Sequence, residues 1–358
     1  MADTKTSSMV GGALALAASL ALLLTCVGSP SDAARRAVTD SAGRRVEIPD
    51  RVRRVYTAGA PASILVYALA PDKLLGWNRE LTPGERAFLP SRYAELPALG
   101  RLTGRGNTAN VEAVIAARPD IIVDVGTIGP TFVSLADRIQ QQTGIPYVLL
   151  DGSFAATAKS SETLGEILGV PDQGRRLARY TERLLAEIDE RVARVPEDQR
   201  PRVYYARGPR GLESGAPGSI NTESLTRLGA RNVVQESVKM TGTISVSLEQ
   251  VLAWDPEVIV TVDPSFAAGV RTDGAWSGIR AVRSNRVYLA PLVPFPWLDF
   301  PPSINRLIGL RWLGRILYPD RFAGDLRQET REFYAAFYHR APDEAQLDAL
   351  LRASTPTR

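Results

Sequence analysis

Two stretches of this chain are near copies of each other, and this internal repeat constrains the fold more than any other feature. Residues 111–126 read VEAVIAARPDIIVDVG, and residues 248–263 read LEQVLAWDPEVIVTVD. Each copy has apolar residues at helical spacing, then a turn led by proline, then a β-branched run with the length of a buried strand. The repeat therefore predicts two α/β lobes of similar plan.

A second pair of similar segments lies upstream of the two copies. Residues 54–59 (RVYTAG) resemble residues 202–208 (RVYYARG), and both read as strands that end in glycine. Strand–proline–helix units are common in α/β proteins, so a chance recurrence is the alternative. Because both pairs of similar segments occur in the same order, two related lobes are favoured. Two such lobes are suited to holding a ligand between them.

Composition limits the partners of the chain. Its 358 residues are 44% hydrophobic and 23% charged, which is typical of a globular protein with about two domains. The net charge of +4 is carried mainly by arginines, which are dispersed along the sequence. Because nucleic-acid binding requires clustered basic residues, we do not expect nucleic acid as a partner.

Residues 1–36 read as a leader. Residues 9–29 are uncharged and strongly apolar, as in a secretory signal peptide. Three alternatives remain open: a lipoprotein signal with Cys26 as the lipidated residue, ordinary cleavage near residues 31–34, or a retained membrane anchor. All three predict a periplasmic or other extracytoplasmic location, and the first predicts a lipid anchor.

Cys26 is the only cysteine and His339 the only histidine of the chain. No intramolecular disulfide can form, so the core alone must hold the fold. A Ser–His–Asp triad or a His-rich zinc or manganese site would need histidines that are lacking. We therefore expect no catalytic residue, no metal site and no cofactor, and we interpret His339 as a surface residue of a helix.

Strand and helix patterns alternate through both halves of the chain, which predicts parallel βαβ units. One continuous amphipathic helix candidate, residues 172–195, lies between the halves and lacks any flexible linker beside it. The sequence thus divides into a first α/β lobe at 37–170, a connecting helix at 171–196, and a second α/β lobe with terminal helices at 197–358.

An ordered series of segments resembles the substrate-binding proteins of bacterial ABC importers. It comprises the hairpin pattern at 38–49, LPALG at 96–100 and the first repeat copy at 112–123. The similarity is to the rigid-helix class that serves ferric siderophores, haem, cobalamin and some oxyanions. It implies two Rossmann-like lobes joined by one long rigid helix, a ligand cleft between the lobes, a monomer, an importer permease as partner, and no catalysis.

The resemblance also suggests where the permease would dock. Residues 219–233 are similar to the second-lobe segment that carries a docking glutamate in this family, which places Glu223 in that role. A solvated helix residue is the alternative. The corresponding helix of the first lobe has no acidic residue, so Glu80 or Glu85 would have to serve there instead.

Ligands of open α/β sheets bind beyond the carboxyl ends of the strands, and this rule selects the candidate ligand-binding residues. They are Gly59, Pro61, Trp77, Arg105, Asn107 and Thr127 in the first lobe, and Arg207, Arg210, Ser214, Ser219, Thr241 and Trp297 in the second. The glycine-rich segment 206–219 would expose N–H groups and arginines to an anion, with a mobile surface loop as the alternative. Trp77 and Trp297 would form an aromatic wall, with packing between lobes as the alternative for Trp297.

These residues favour a binding protein for an anionic metal chelate, most readily a ferric siderophore. Molybdate or tungstate would suit the segment 206–219, and cobalamin is a third candidate ligand of the same class. An exported α/β hydrolase is the alternative from another class. It would need a Gly-x-Ser-x-Gly elbow, and the nearest pentapeptide, residues 211–215 (GLESG), has glutamate in the place of serine.

Overall fold

The computed structural model describes residues 34–104, 110–236 and 242–352. Its strands are β1 Arg35–Thr39, β2 Arg45–Pro49, β3 Val55–Thr57, β4 Ile121–Gly126, β5 Tyr147–Asp151, β6 Arg202–Ala206, β7 Glu213–Gly215, β8 Arg231–Asn232, β9 Thr243–Ser245, β10 Val258–Thr261 and β11 Val287–Leu289. Its helices are α1 Ala60–Leu69, α2 Pro83–Arg86, α3 Ser91–Ala94, α4 Val111–Ala116, α5 Pro130–Thr143, α6 Phe154–Ile167, α7 Pro171–Ala193, α8 Glu223–Arg227, α9 Leu248–Trp254, α10 Pro264–Gly269, α11 Arg280–Arg283, α12 Asn305–Leu317, α13 Leu326–Phe337 and α14 Glu344–Arg352.

Two parallel sheets form the two lobes, which confirms the predicted α/β class. The first sheet has the strand order β3-β4-β5, and the second has the order β11-β10-β6-β8. Two two-stranded antiparallel sheets, β1 with β2 and β7 with β9, accompany them. Residues 74–77 form no named strand and make only single parallel bridges, Leu74 to Val55 and Trp77 to Ala98.

The repeat gives the two sheets matching inner strands. The first copy forms α4 and β4, and the second forms α9 and β10. Asn110 and Ser247 cap the two helices, each accepting a hydrogen bond from the backbone N–H three residues on. Arg118 and Asp255, each followed by proline, turn the chain through left-handed backbone into the strand. Both strands are buried on both faces, which explains their continuous apolar runs.

The connecting helix α7 begins at the predicted Pro171 and ends at Ala193. Its buried stripe includes Leu177, Leu184 and Ile188, and the charged residues face outward. It packs closely on α6 because Gly165 and Gly174 meet at the contact. A Cβ on Gly174 would lie 2.7 Å from the Ser161 carbonyl oxygen.

The terminal helices do not belong to the second lobe alone. The Tyr67 hydroxyl on α1 donates to the Tyr338 carbonyl at 2.6 Å, and Gln346 on α14 donates to the Ala87 carbonyl at 3.0 Å. One hydrophobic core consequently runs from the first lobe through α7 into the second.

His339 lies just beyond the end of α13 rather than on its surface. Its backbone is left-handed and its Nε2 is 2.9 Å from the Tyr67 carbonyl oxygen. Partial burial lowers its pKa. The expected surface helix position is therefore wrong for His339.

Within the described ranges, no helix combines the length and the apolar character needed to cross a bilayer.

Candidate functional site

A cavity of about 630 Å³ lies between the two lobes, beyond the carboxyl ends of β3, β4 and β6. This is the position that the strand-end rule for open α/β sheets predicts. Polar side chains converge on it from both lobes. The first lobe contributes Ser63, Asn78, Arg79, Arg101, Thr103, Asp124 and Thr127, and the second contributes Arg207, Ser219, Asn221, Thr243 and Asp299.

Contacts with two neighbouring side chains fix the Arg207 guanidinium on the second-lobe wall of the cavity. It follows β6 directly and is 8% exposed. Its Nη1 donates to Thr243 Oγ1 at 2.7 Å, and its Nε lies 3.4 Å from Asp299 Oδ2. Because these contacts hold the guanidinium in one orientation, a planar set of N–H donors is presented at the cavity.

Asp299 connects the groups around Arg207. It is fully buried and accepts hydrogen bonds from the Tyr205 hydroxyl at 3.1 Å and from Asn221 Nδ2 at 2.7 Å. Burial and the nearby Asp299 charge raise the pKa of Tyr205 well above its usual value. Tyr205 therefore remains a protonated donor to Asp299, and its oxygen is already engaged.

Phe300 stands at the rim of the cavity in an unusual conformation. Its backbone is left-handed, with φ at 63°, and the residue is 59% exposed. Its ring centroid lies 5.3 Å from the Arg207 guanidinium carbon. Asp299 and Phe300 were missed by the sequence analysis, and the only local signal is the proline-rich stretch in which they lie, residues 291–302.

The first-lobe wall is built around the start of α1. Gly59 caps this helix, whose first turn contains no acidic residue. A Cβ on Gly59 would lie 2.6 Å from Thr103 Oγ1, so any other residue at this position would displace the Thr103 side chain. Ser63 joins Thr57 and Asn78, because its hydroxyl lies 2.7 Å from Thr57 Oγ1 and donates to Asn78 Oδ1.

Asp124 is a buried acid on the same wall. It accepts hydrogen bonds from Thr103 Oγ1 and Tyr147 Oη, both at 3.1 Å, and from the Val125 N–H at 3.0 Å. Burial raises its pKa to about 6, although these three hydrogen bonds oppose the rise. The part of the chain that the structure describes holds no group of three His, Cys, Asp or Glu side chains that could bind a metal ion.

The predicted ligand residues separate into three groups. Gly59, Pro61, Trp77, Thr127, Arg207 and Ser219 line the cavity. Arg105, Asn107 and Thr241 lie outside the described residues, as does Cys26. Trp297, Arg210 and Ser214 lie away from the cavity lining, so the ligand contacts predicted for them are wrong.

The aromatic wall predicted from Trp77 and Trp297 is not formed. Trp297 is fully buried and donates through Nε1 to the Tyr334 hydroxyl at 3.1 Å. Trp77 is almost as deeply buried, donates to the Tyr93 carbonyl at 2.8 Å, and packs against the Tyr67 ring. Both indoles are mainly core residues, as the packing alternative expected for Trp297.

Segment 206–219 is fixed by strand pairing rather than being an open anion-binding loop, and within it Arg207 and Glu213 form a single antiparallel bridge. β7 pairs with β9, and this pairing buries Ser214 away from the cavity while Arg210 is exposed in the turn before it. Only the two ends of the segment, Arg207 at one and Gly218 with Ser219 at the other, face the cavity. Short-range sequence signals did not reveal that β9 would supply a partner strand.

Glu223 has partners within the chain. Its Oε2 pairs with Arg306 Nη1 at 2.9 Å, and its Oε1 accepts from the Phe154 N–H at 2.8 Å. Glu85, one of the first-lobe alternatives, is likewise engaged with Arg79 and caps α2. Both carboxylates are engaged within the chain, and the docking role of Glu223 stays a prediction.

Comparison with known proteins agrees with this architecture. Residues 90–293 match the family described as periplasmic binding protein. The chain belongs to this family. An ABC transporter solute binding protein from Sulfurospirillum deleyianum superposes with a TM-score of 0.81 at 29% identity, covering 88% of this chain and 99% of that one.

Two curated relatives extend the comparison. The molybdate-binding protein MolA of Haemophilus influenzae is 27% identical, covering 90% of this chain and 98% of the relative. The haem uptake system protein IsdE of Staphylococcus aureus is 24% identical, covering 60% of this chain and 72% of the relative. The chain is thus a rigid-helix substrate-binding protein of an ABC importer, working with a permease and a small ligand, and it is not an enzyme.

Proposed function

We propose that this protein captures a small anion, with molybdate or tungstate as the ligand class that suits the cleft best. The observation that carries the proposal is Arg207, held on the cavity wall by Thr243 and Asp299. A tetrahedral oxyanion needs several fixed N–H and O–H donors and little aromatic surface. The relative MolA, which spans most of this chain, binds molybdate by its name.

The start of α1 supports the same ligand class from the opposite wall. This ten-residue helix points its N-terminus toward the cavity, and Gly59 keeps the backbone free of a side chain. Helix N-termini stabilise negative charge through their unpaired N–H groups and the helix dipole. An anion would therefore meet donors from both lobes.

A ferric siderophore or another anionic iron chelate is the second candidate. The cavity volume of about 630 Å³ is in the range of drug-sized ligands, and the exposed Phe300 ring offers an apolar contact. The burial of Trp297 removes the main support for this ligand, because a flat aryl chelate would lose its predicted stacking partner.

A thermal-shift screen of the full chain tests the proposal. The ligands are molybdate, tungstate, sulfate, ferric citrate, a ferric hydroxamate, haem and cobalamin. A specific ligand at a hundredfold its Kd stabilises the folded state by about 2.7 kcal/mol. We expect a shift with molybdate or tungstate and none with sulfate at the same ionic strength. A shift with an iron chelate alone would replace the oxyanion by the second candidate.

We also propose that Cys26 anchors the exported protein through a lipid. The residue follows an apolar leader, as in bacterial lipoproteins. Substitution Cys26→Ala should move the protein from the membrane fraction to the soluble fraction of lysed cells. Unchanged partitioning would contradict lipidation and favour a retained apolar segment.

A further inference from the structure

Asp124 differs from the other cavity acid in its partners. Asp299 faces the Arg207 guanidinium, whereas among the described residues the donors to Asp124 are the neutral groups of Thr103, Tyr147 and the Val125 N–H. Asp124 is 5% exposed, so little water reaches the carboxylate. An ionised carboxylate held in this way is poorly compensated, and a second negative charge beside it would be strongly unfavourable.

The groups around Asp124 define its electrostatic setting. Strand β5 contributes the Tyr147 phenol, which bonds Asp124 and interacts with the Tyr56 phenol on β3, and the segment after Gly100 contributes Thr103 and Arg101 to the cavity wall. The opposite wall contributes Arg207, whose charge is shared with Asp299. Burial raises the pKa of Asp124 to about 6, so a modest further rise would protonate it near neutral pH.

We infer that Asp124 makes anion capture by this cleft proton-linked: as the anion enters, the carboxylate takes up one proton from solvent and donates the resulting O–H hydrogen to the bound anion. The inference rests on the proposed function, since it requires an anionic ligand. Asp124 thereby acts as a specificity-determining residue, changing from an acceptor that repels an oxyanion to a donor that holds one. No other reactant is consumed, and the proton returns to solvent on release.

The sign of the pH dependence follows from the linkage. An anion binds more tightly to the protonated form, so its presence raises the pKa of Asp124 above the ligand-free value. Below pH 6 the ligand-free site is already protonated, and affinity should be nearly constant. Above pH 6 the Kd should rise by up to about tenfold per pH unit, until the pH passes the pKa of the liganded site.

Calorimetric titration of the full chain with molybdate and tungstate between pH 5.5 and 8.5 tests the inference. Titrations at pH 7 in two buffers of different ionisation enthalpy count the protons taken up per anion. We expect up to about one proton for the wild type and none for Asp124→Asn. The Asn variant should bind with a flat pH profile and should match or exceed the wild type at pH 8.5.

Two further variants extend the test, one that alters the surroundings of Asp124 and one that serves as a control. Tyr147→Phe removes a hydrogen bond that lowers the pKa of Asp124, so affinity should begin to fall at higher pH. Asp273→Asn, an exposed carboxylate that caps a 3-10 turn outside the cavity lining, should leave the wild-type pH profile unchanged.

The outcomes separate this inference from the proposed function. Anion binding without pH dependence or proton uptake would overturn the role of Asp124 alone. Weaker binding by Asp124→Asn at every pH would also overturn it, because Asp124 would then be accepting a hydrogen from the ligand. If ferric citrate binds in place of the oxyanions, the same titrations apply to it. Failure of every anion at every pH would overturn the proposed function and this inference together.

Discussion

At the scale of single residues, Arg207 and Asp299 form one unit. Their side chains are 10% and 0% exposed, so the charge of each is compensated mainly by the other and by hydrogen bonds. Tyr205 and Asn221 hold Asp299, while Thr243 holds Arg207. Substitutions at the pair should therefore affect folding and binding through separable causes.

Removing Arg207 alone should lower both the stability of the fold and the affinity for the anion. Arg207→Ala leaves Asp299 buried and uncompensated, and the free energy of unfolding should fall by about 3 kcal/mol. Adding Asp299→Asn to that variant should restore most of the stability, because the buried charge disappears. Anion affinity should remain weakened by about 1.5–3 kcal/mol in both variants. Chemical denaturation and calorimetry measure the two effects, and unchanged affinity would exclude Arg207 from the site.

At the scale of secondary-structure elements, the rigidity of the linker depends on helix packing. Gly165 and Gly174 allow α6 and α7 to touch backbone to backbone. The apolar stripe of α7 then joins the core shared by both lobes. A long helix held along one face in this way cannot act as a hinge.

Substitution of Gly174 tests this packing. A Cβ there would lie 2.7 Å from the Ser161 carbonyl oxygen, so Gly174→Ala should lower the free energy of unfolding by about 1–3 kcal/mol. The matched control is Gly269→Ala in α10, where the added Cβ meets nothing within 4 Å. Its effect should be neutral, or stabilising by up to about 1 kcal/mol. Equal effects in denaturant titrations would contradict the close-packing argument.

At the scale of the whole molecule, a buried clamp joins the lobes beneath the cavity. The Arg306 guanidinium donates to the Gly152 carbonyl of the first lobe at 2.7 Å and to the Ile220 carbonyl of the second at 3.0 Å. Glu223 accepts from both Arg306 and the Phe154 N–H, so it too bridges the lobes. Together with α7, the clamp limits the motion of one lobe relative to the other.

Breaking the clamp should loosen the molecule. Arg306→Met removes every hydrogen bond that Arg306 makes while keeping an unbranched apolar stem, and stability should fall by about 3–5 kcal/mol. The exposed pair Arg194–Glu190 supplies the control, because Arg194→Ala should change stability by no more than about 0.5 kcal/mol. A loss of similar size in both variants would contradict the clamp.

The closure of the wild-type cleft can be measured by solution scattering. With α7 packed into a common core and the clamp in place, we expect the ligand-free and anion-bound forms to differ by only a few degrees of lobe rotation. Scattering profiles that require a wide hinge closure would contradict the rigid linkage. The Arg306→Met variant should show a larger radius of gyration without ligand than the wild type does.

The fold was largely readable from the sequence because its signals are local. The repeat at 111–126 and 248–263 gives matching helix–strand units, since apolar periodicity and a turn before proline act within a dozen residues. The same holds for α7, whose apolar stripe and flanking prolines define it without reference to the rest of the chain. The position of the cavity at the strand ends, and of Arg207 on it, follows from the parallel topology.

The remaining parts of the site were decided by tertiary contacts. Trp297 could face a ligand or the core, and Tyr334, 37 residues away, places it in the core. Segment 206–219 is not an open loop because its strand β7 pairs with β9, and Glu223 is part of the clamp because Arg306 lies beside it. Asp124 and Asp299 read as ordinary acids in the sequence. Burial and partners distant along the chain, which no local pattern encodes, give each its role.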